Sequence, residues 1–120
     1  MSSGAPSILV VDDSEGVRAA VSMLLEDQGF EAVSASNCAE ALAAVLQAEY
    51  DVILIDVQLG NESGIALAMR VREQRPNSKI ILMSGSGVDL EPHTGLPMLL
   101  KPFAREELLD CLRKVLDLAA

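Results

Sequence analysis

The sequence lacks tryptophan and contains only three aromatic residues, Phe30, Tyr50 and Phe103, although half of its 120 residues are hydrophobic. Its core must therefore be built from aliphatic side chains. A chain of this length lies in the usual size range of one domain and can bury roughly two thirds of the surface that it exposes when unfolded. We therefore expect a single domain that needs neither disulfides nor a structural metal to fold.

Cysteine is also scarce. Cys38 and Cys111 lie far apart in the sequence, and neither belongs to a CxxC motif or has a histidine at metal-ligand spacing. Both fall on apolar faces of predicted helices. This pattern is typical of small buried hydrophobic residues in a reducing compartment, not of a disulfide framework or a zinc site.

Basic residues are half as frequent as acidic ones, nine against eighteen, and the formal net charge is −9. Binding to a nucleic-acid backbone requires a basic surface, so direct nucleic-acid binding is not expected. The sequence has no signal-peptide pattern and no apolar segment of about 18 residues. We therefore expect a cytoplasmic protein without membrane contact, with a disordered lead-in over residues 1–6 and one domain over residues 7–118.

Short aliphatic runs alternate with helical patterns along the whole chain. Strands are predicted at Ser7–Val11, Glu31–Ala35, Asp51–Ile55, Lys79–Met83 and Met98–Leu100, and helices at Ser14–Gln28, Asn37–Ala48, Ser63–Arg75 and Phe103–Leu118. Alternation of this kind, with unbroken Val, Ile and Leu strands, favours a parallel sheet covered by helices on both faces. We therefore predict a small doubly wound α/β fold.

The predicted strands end in residues that carry chemistry. Asp12 and Asp13 follow the first strand, Asp56 the third, Ser84 the fourth and Lys101 the fifth. Each residue alone has an ordinary explanation, such as a turn residue, a helix cap or a solvated lysine. In a parallel sheet, however, the carboxyl ends of the strands meet at one edge, where ligands bind.

This set of side chains suits phosphoryl chemistry. Three neighbouring carboxylates favour a hard divalent cation such as Mg²⁺, which also explains how two adjacent aspartates could both stay ionised. A lysine and a hydroxyl stabilise the oxygens of a phosphoryl group. Asp56 lies between the two sets, so it is the natural nucleophile for an acyl phosphate.

Four segments, ILVVDD, DVILIDVQLGNESG, ILMSG and LLKPF, occur in this order within a region from about Ser7 to Leu118. Together they resemble the receiver domains of bacterial two-component response regulators. The resemblance implies a flavodoxin-like five-stranded parallel sheet with strand order 2-1-3-4-5. It also implies that the domain accepts a phosphoryl group from a phosphohistidine.

The resemblance assigns roles to single residues. Asp56 matches the phosphoacceptor, and Asp12 and Asp13 match the acidic pair that holds Mg²⁺ together with Asp56. Gln58 matches a residue whose main-chain carbonyl is a further metal ligand. Ser84 matches the hydroxyl residue that binds the phosphoryl group and moves on activation.

The other matched positions lie around the fourth and fifth strands and the third helix. Lys101 matches the lysine that pairs with the phosphoryl group, and Pro102 matches a proline that is typically preceded by a cis peptide bond. Gly85 matches a small residue that leaves the site open. Gly64 matches the glycine that opens the third helix, although a glycine there needs no chemical role.

Three features differ from the family pattern. Gly60 replaces a common proline four residues after the phosphoacceptor, so this loop should be more pliable. Met98 replaces a Tyr or Phe that usually takes part in switching. Two prolines and three glycines lie between Ser84 and Lys101, so the fourth helix should be short or missing, with His93 in a loop.

We therefore expect a signalling switch that receives a phosphoryl group from a histidine kinase or a phosphotransfer protein and signals by contact with an unknown downstream protein. It would be a stand-alone regulator or a receiver module of a longer protein, such as a hybrid histidine kinase. Beyond assisting its own phosphorylation and dephosphorylation it would not be an enzyme.

Three alternatives compete with this interpretation. A Mg²⁺-dependent phosphatase with an aspartyl nucleophile usually has a second Asp where this chain has Gln58. A nucleotide-binding Rossmann domain requires a glycine-rich turn after the first strand, where this chain has DDSEG. A degenerate receiver would bind partners without being phosphorylated, but here the acidic, acceptor, hydroxyl and lysine positions are intact.

Overall fold

The computed structural model describes residues 4–85 and 95–116. Strands and helices alternate along the chain, as the aliphatic runs predict. The strands are β1 (Ser7–Val11), β2 (Glu31–Ala35), β3 (Val52–Asp56), β4 (Gln58–Leu59), β5 (Glu62–Ser63), β6 (Lys79–Ser84) and β7 (Met98–Leu100). The helices are α1 (Glu15–Asp27), α2 (Cys38–Gln47), α3 (Gly64–Gln74) and α4 (Arg105–Leu116).

Five strands form one parallel sheet in the order β2-β1-β3-β6-β7. Counted without the short strands β4 and β5, this is the predicted order 2-1-3-4-5, so the flavodoxin-like fold is confirmed. Val11 is paired with Ile55, and Ser84 with Leu100. The strands therefore end together at one edge of the sheet.

The hydrophobic core lies on both faces of the sheet because successive side chains of a strand point to opposite sides. Leu9 and Ile53 belong to the cluster that packs against α2 and α3, whereas Ile8 and Leu54 belong to the cluster that packs against α1 and α4. Apart from Met83, the fully buried hydrophobic side chains of the described residues are aliphatic, and the three aromatic residues pack only at the margins of the clusters. The prediction of an aliphatic core is confirmed.

Helices α1, α2 and α3 begin one residue later than predicted because Ser14, Asn37 and Ser63 are their N-caps. Each cap side chain accepts a hydrogen bond from a main-chain N–H three residues further along. The limits of two predicted strands also differ by one residue, whereas β1, β2 and β7 have the predicted limits. Asp56 and Ser84 do not follow their strands but are the last residues of β3 and β6.

Both cysteines are free thiols and are partly buried, one against each core cluster. None of the helices formed by residues 4–85 and 95–116 is long and apolar enough to cross a membrane. The sequence also predicts a short or missing helix between β6 and β7, with His93 in a loop. These predictions fall on residues 86–94, which lie outside the described residues.

Candidate functional site

Three acidic side chains converge at the carboxyl edge of the sheet. Asp12 follows β1 and Asp56 ends the neighbouring strand β3, while Asp13 is the next residue along the β1–α1 loop. One carboxylate oxygen from each lies within 4.8 Å of the others. Asp12 and Asp56 are buried, whereas Asp13 is exposed at the rim.

The ammonium group of Lys101 lies between the two buried acids. Its Nζ is 2.6 Å from Asp12 Oδ2 and 3.1 Å from Asp56 Oδ2. Strand β7 directs the lysine there, since the main-chain N–H of Lys101 donates to the carbonyl of Ser84 on β6 at 2.7 Å. The sheet therefore brings together the residues that the strand ends predict.

The surroundings of Asp56 and Lys101 change the affinity of both for protons. Burial raises the pKa of Asp56, and the negative charge of Asp12 adds to the increase. The N–H of Gln58, 3.2 Å from Asp56 Oδ1, and the amine of Lys101 oppose it without cancelling it. Burial acts to lower the pKa of Lys101, but its bonds to Asp12 and Asp56 outweigh this effect, so its pKa is raised.

Main-chain groups and one arginine hold the acidic loop in place. The N–H of Ser14 donates to Asp12 Oδ1 at 2.9 Å, and the N–H of Gly60 donates to Asp13 Oδ2 at 3.1 Å. Arg18 Nη1 donates to the carbonyl of Asp12 at 2.7 Å. Arg18 belongs to none of the motifs that predict the site, although it is the only Lys or Arg among residues 1–69.

The glycine that opens α3 is required by close packing. A Cβ atom at Gly64 would overlap the main-chain carbonyl of Asp56 and lie 2.8 Å from Val57 Cα. The N–H of Gly64 also donates to the carbonyl of Val57 at 2.8 Å. Helix α3 therefore begins directly against the end of the strand that carries Asp56.

The loop between β3 and α3 contains the antiparallel hairpin β4–β5, which the sequence pattern does not predict. Gly60 lies in its turn with φ +63°, a value that favours glycine and that proline cannot adopt. Proline, common at this position in the resembling family, is therefore incompatible with this turn. The expected pliability of the loop remains a prediction.

A cavity of about 720 Å³ opens above Asp56. Its lining includes the buried Ser84, the partly buried Lys101 and three exposed residues, Asp13, Gln58 and Gly85. A Cβ atom at Gly85 would meet nothing within 4 Å, so the space around it is open.

Two further predicted positions lie outside the acidic centre. The Lys101–Pro102 peptide bond is cis, as the resemblance implies. Met98 pairs with Leu82 across the sheet and is half-buried against the cluster that packs on α2 and α3.

The donor set fits a hard divalent cation. Mg²⁺ prefers carboxylate, carbonyl and water oxygens, and it is commonly held by one or two carboxylates together with phosphate oxygens. Asp12, Asp13 and Asp56 offer three such oxygens at close range, next to a cavity that has room for further oxygen ligands.

Comparison with known proteins gives concordant matches. The family model described as "Response regulator receiver domain" matches residues 8–113. The phosphate regulon transcriptional regulatory protein PhoB of Pseudomonas aeruginosa is 33% identical over 117 residues, which cover 92% of this chain and 51% of the relative. The chain thus spans about half the length of the curated relatives it matches.

Two solved structures of similar length match over nearly their whole length. Vibrio cholerae chemotaxis protein CheY4 has a TM-score of 0.84 and 31% identity, with coverage of 93% of this chain and 99% of that chain. Response regulator TrrA of Thermotoga maritima, solved in complex with Mg²⁺-BeF, has a TM-score of 0.83 and 29% identity, with coverage of 92% and 98%.

Proposed function

This chain belongs to the response regulator receiver domain family, and we propose that its Asp56 accepts a phosphoryl group from the phosphohistidine of a histidine kinase or a histidine phosphotransfer protein. Receiver domains of this family interact with histidine kinases. The observation that carries the proposal is the position of the Asp56 carboxylate at the cavity, 3.1 Å from the Lys101 amine and beside two further carboxylates.

The transfer would use groups that the sheet already holds together. A carboxylate oxygen of Asp56 attacks the phosphorus atom, and the phosphorus–nitrogen bond breaks with its electron pair going to the imidazole. The Lys101 ammonium and the Ser84 hydroxyl bind oxygens of the transferred group. Both side chains line the same cavity as Asp56.

The residues that would hold Mg²⁺ are Asp12, Asp13, Asp56 and the main-chain carbonyl of Gln58. A bound Mg²⁺ supplies positive charge to the carboxylates and to the phosphoryl oxygens. Lys101 pairs with Asp12 in this structure, and after phosphorylation its ammonium group could also bind the phosphoryl oxygens on Asp56. The acidic cluster and the Mg²⁺-BeF complex of TrrA support this assignment.

The signal would leave the domain by contact with a downstream protein. The bond between the Lys101 N–H and the Ser84 carbonyl couples the ends of β6 and β7, so movement of Ser84 toward a phosphoryl group would be passed to β7. Met98 on β7 would take part by repacking a flexible side chain instead of swinging a ring. The net charge of −9 supports a protein partner over direct nucleic-acid binding.

The chain would act as a stand-alone regulator or as the receiver of a longer protein, and it would assist only its own phosphorylation and dephosphorylation. The matched transcriptional regulators are about twice its length. A phosphatase acting on external esters is the second candidate. Steady turnover of a small phosphate ester would favour it.

The test is an amide NMR titration with Mg²⁺ followed by beryllofluoride, a phosphoryl mimic. In the wild type we expect signals of Asp56, Ser84 and Lys101 to shift at the beryllofluoride step. In Asp56→Asn they should not respond to beryllofluoride, because the ligating carboxylate is lost. Equal responses in both proteins would refute the assignment of Asp56.

A further inference from the structure

The hairpin β4–β5 (residues 58–63) lies directly after Asp56. Gln58 pairs with Ser63 and Leu59 with Glu62, and the turn consists of Gly60 and Asn61. Leu59 is buried in the core cluster against α2 and α3, which anchors the hairpin next to its turn. The turn itself projects along the wall of the cavity.

Two hydrogen bonds fasten the hairpin to different parts of the chain. The N–H of Gly60 donates to Asp13 Oδ2 at 3.1 Å, which joins the turn to the β1–α1 loop. The Glu62 carboxylate accepts from the N–H of Cys38 at 3.0 Å, which joins the hairpin to the first residue of α2. The hairpin therefore links the acidic loop to a helix 24 residues away from Glu62 in sequence.

Glu62 is the third acid in the cavity wall, beside Asp13 and Asp56, but its carboxylate accepts a hydrogen bond from α2. Among the described residues, the acids that could share a metal ion are Asp12, Asp13 and Asp56, without Glu62. Its carboxylate is used at the N-terminus of α2, where unpaired N–H groups and the helix dipole favour negative charge. The Glu62 carboxylate is therefore placed to hold the hairpin against α2 and not to bind the metal ion.

We propose that Glu62 is a positioning residue for the Mg²⁺ site and acts through Gly60. By fastening the hairpin to α2, Glu62 keeps the Gly60 N–H on Asp13 and thereby limits the rotation of this exposed carboxylate. It also keeps Gln58, the proposed carbonyl ligand, beside Asp56. The inference rests on the proposed function, because that function assigns the three aspartates to Mg²⁺.

Linkage makes the effect reciprocal. If the fastened hairpin favours Mg²⁺ binding, then Mg²⁺ must favour the fastened hairpin by the same factor. Residues that hold metal ligands by hydrogen bonds typically change metal affinity 10- to 100-fold when removed. Glu62 acts one step further away, so we expect about a fivefold effect.

The experiment compares Mg²⁺ titrations of the full chain and of Glu62→Ala and Glu62→Gln, followed by amide NMR. In the wild type the N–H signals of Gly60 and Cys38 should shift with one common midpoint. Glu62→Ala should raise the Mg²⁺ dissociation constant about fivefold. Glu62→Gln should stay within about twofold of the wild type, since its amide oxygen can still accept from Cys38.

Several outcomes would overturn the inference. An equal loss of affinity in Glu62→Gln and Glu62→Ala would show that Glu62 acts through its charge or as a ligand. Unchanged affinity in Glu62→Ala, with normal Mg²⁺ binding by the wild type, would refute the positioning role alone. Absence of Mg²⁺ binding by the wild type would refute the proposed function together with this inference. Urea unfolding in EDTA verifies that both variants are folded.

Discussion

Among the single residues of this domain, Lys101 decides the charge balance of the site. Two buried carboxylates that face each other resist ionisation unless a positive group lies between them. The Lys101 amine is that group in this structure, at 2.6 Å from Asp12 and 3.1 Å from Asp56. It leaves the three-carboxylate cluster with an excess of negative charge, which a divalent cation would offset.

The titration of Asp56 leads to a stability prediction. Its pKa in the folded protein is raised, chiefly by burial. The folded state therefore binds the proton more tightly than the unfolded state, in which an Asp has a pKa of about 3.9. The resulting stabilisation is complete below that value and is lost as the pH rises through the folded pKa.

The asparagine side chain of Asp56→Asn does not titrate, so this variant does not lose stability as the pH rises through the pKa of Asp56. In EDTA we expect Asp56→Asn to be more stable than the wild type near pH 7, with the difference shrinking below about pH 4. Urea unfolding at the two pH values measures this. A variant that is less stable near neutral pH, or a difference independent of pH, would contradict the account.

Some residues of the site could be predicted from the sequence and others could not. The sequence predicts that Asp56, Ser84 and Lys101 lie close together, because they come at the ends of parallel strands, which meet at one edge of the sheet. Arg18 donates from its side chain to a main-chain carbonyl six residues earlier, and the N–H of Gly60 donates to a carboxylate 47 residues away. Such contacts depend on three-dimensional placement and leave no periodic pattern.

The secondary-structure elements differ in how much of them the sequence reveals. Strands β1, β3 and β6 are continuous aliphatic runs, and the helices α1 to α3 begin beside polar caps, so their positions are predicted to within one residue. Strands β4 and β5 have only two residues each. A two-residue strand shows no alternation of polar and apolar side chains, and the hairpin therefore stayed unpredicted.

The approach of α3 to β3 gives a prediction about packing between elements. Gly64→Ala places a methyl group against the main chain of Asp56 and Val57, which cannot move aside without shifting the strand end. We expect a loss of about 2–3 kcal/mol in the free energy of unfolding, measured in urea.

Gly85→Ala is the matched control, because its methyl group would enter open space at the same cavity. Its stability should stay within about 0.5 kcal/mol of the wild type. Equal stability of the two alanine variants would show that the close contact at Gly64 is not limiting.

For the whole molecule, the parallel sheet explains both the stability and the site. Its inner strands β1, β3 and β6 are buried on both faces by aliphatic side chains, so the core does not depend on the three aromatic residues of the chain. The same parallel arrangement places Asp56 and Lys101 at one edge although they are 45 residues apart in sequence. Fold class and site are therefore consequences of one pattern, the alternation of aliphatic strands and amphipathic helices.

The central claim is the Mg²⁺-dependent phosphorylation of Asp56, and intact-protein mass spectrometry after incubation with acetyl phosphate tests it most directly. With Mg²⁺ the wild type and Asp27→Asn, which removes an exposed acid on α1, should each gain one phosphoryl group. Asp56→Asn, and the wild type in EDTA, should gain none. A phosphoryl group on Asp56→Asn, or an unmodified wild type in the presence of Mg²⁺, would contradict the account.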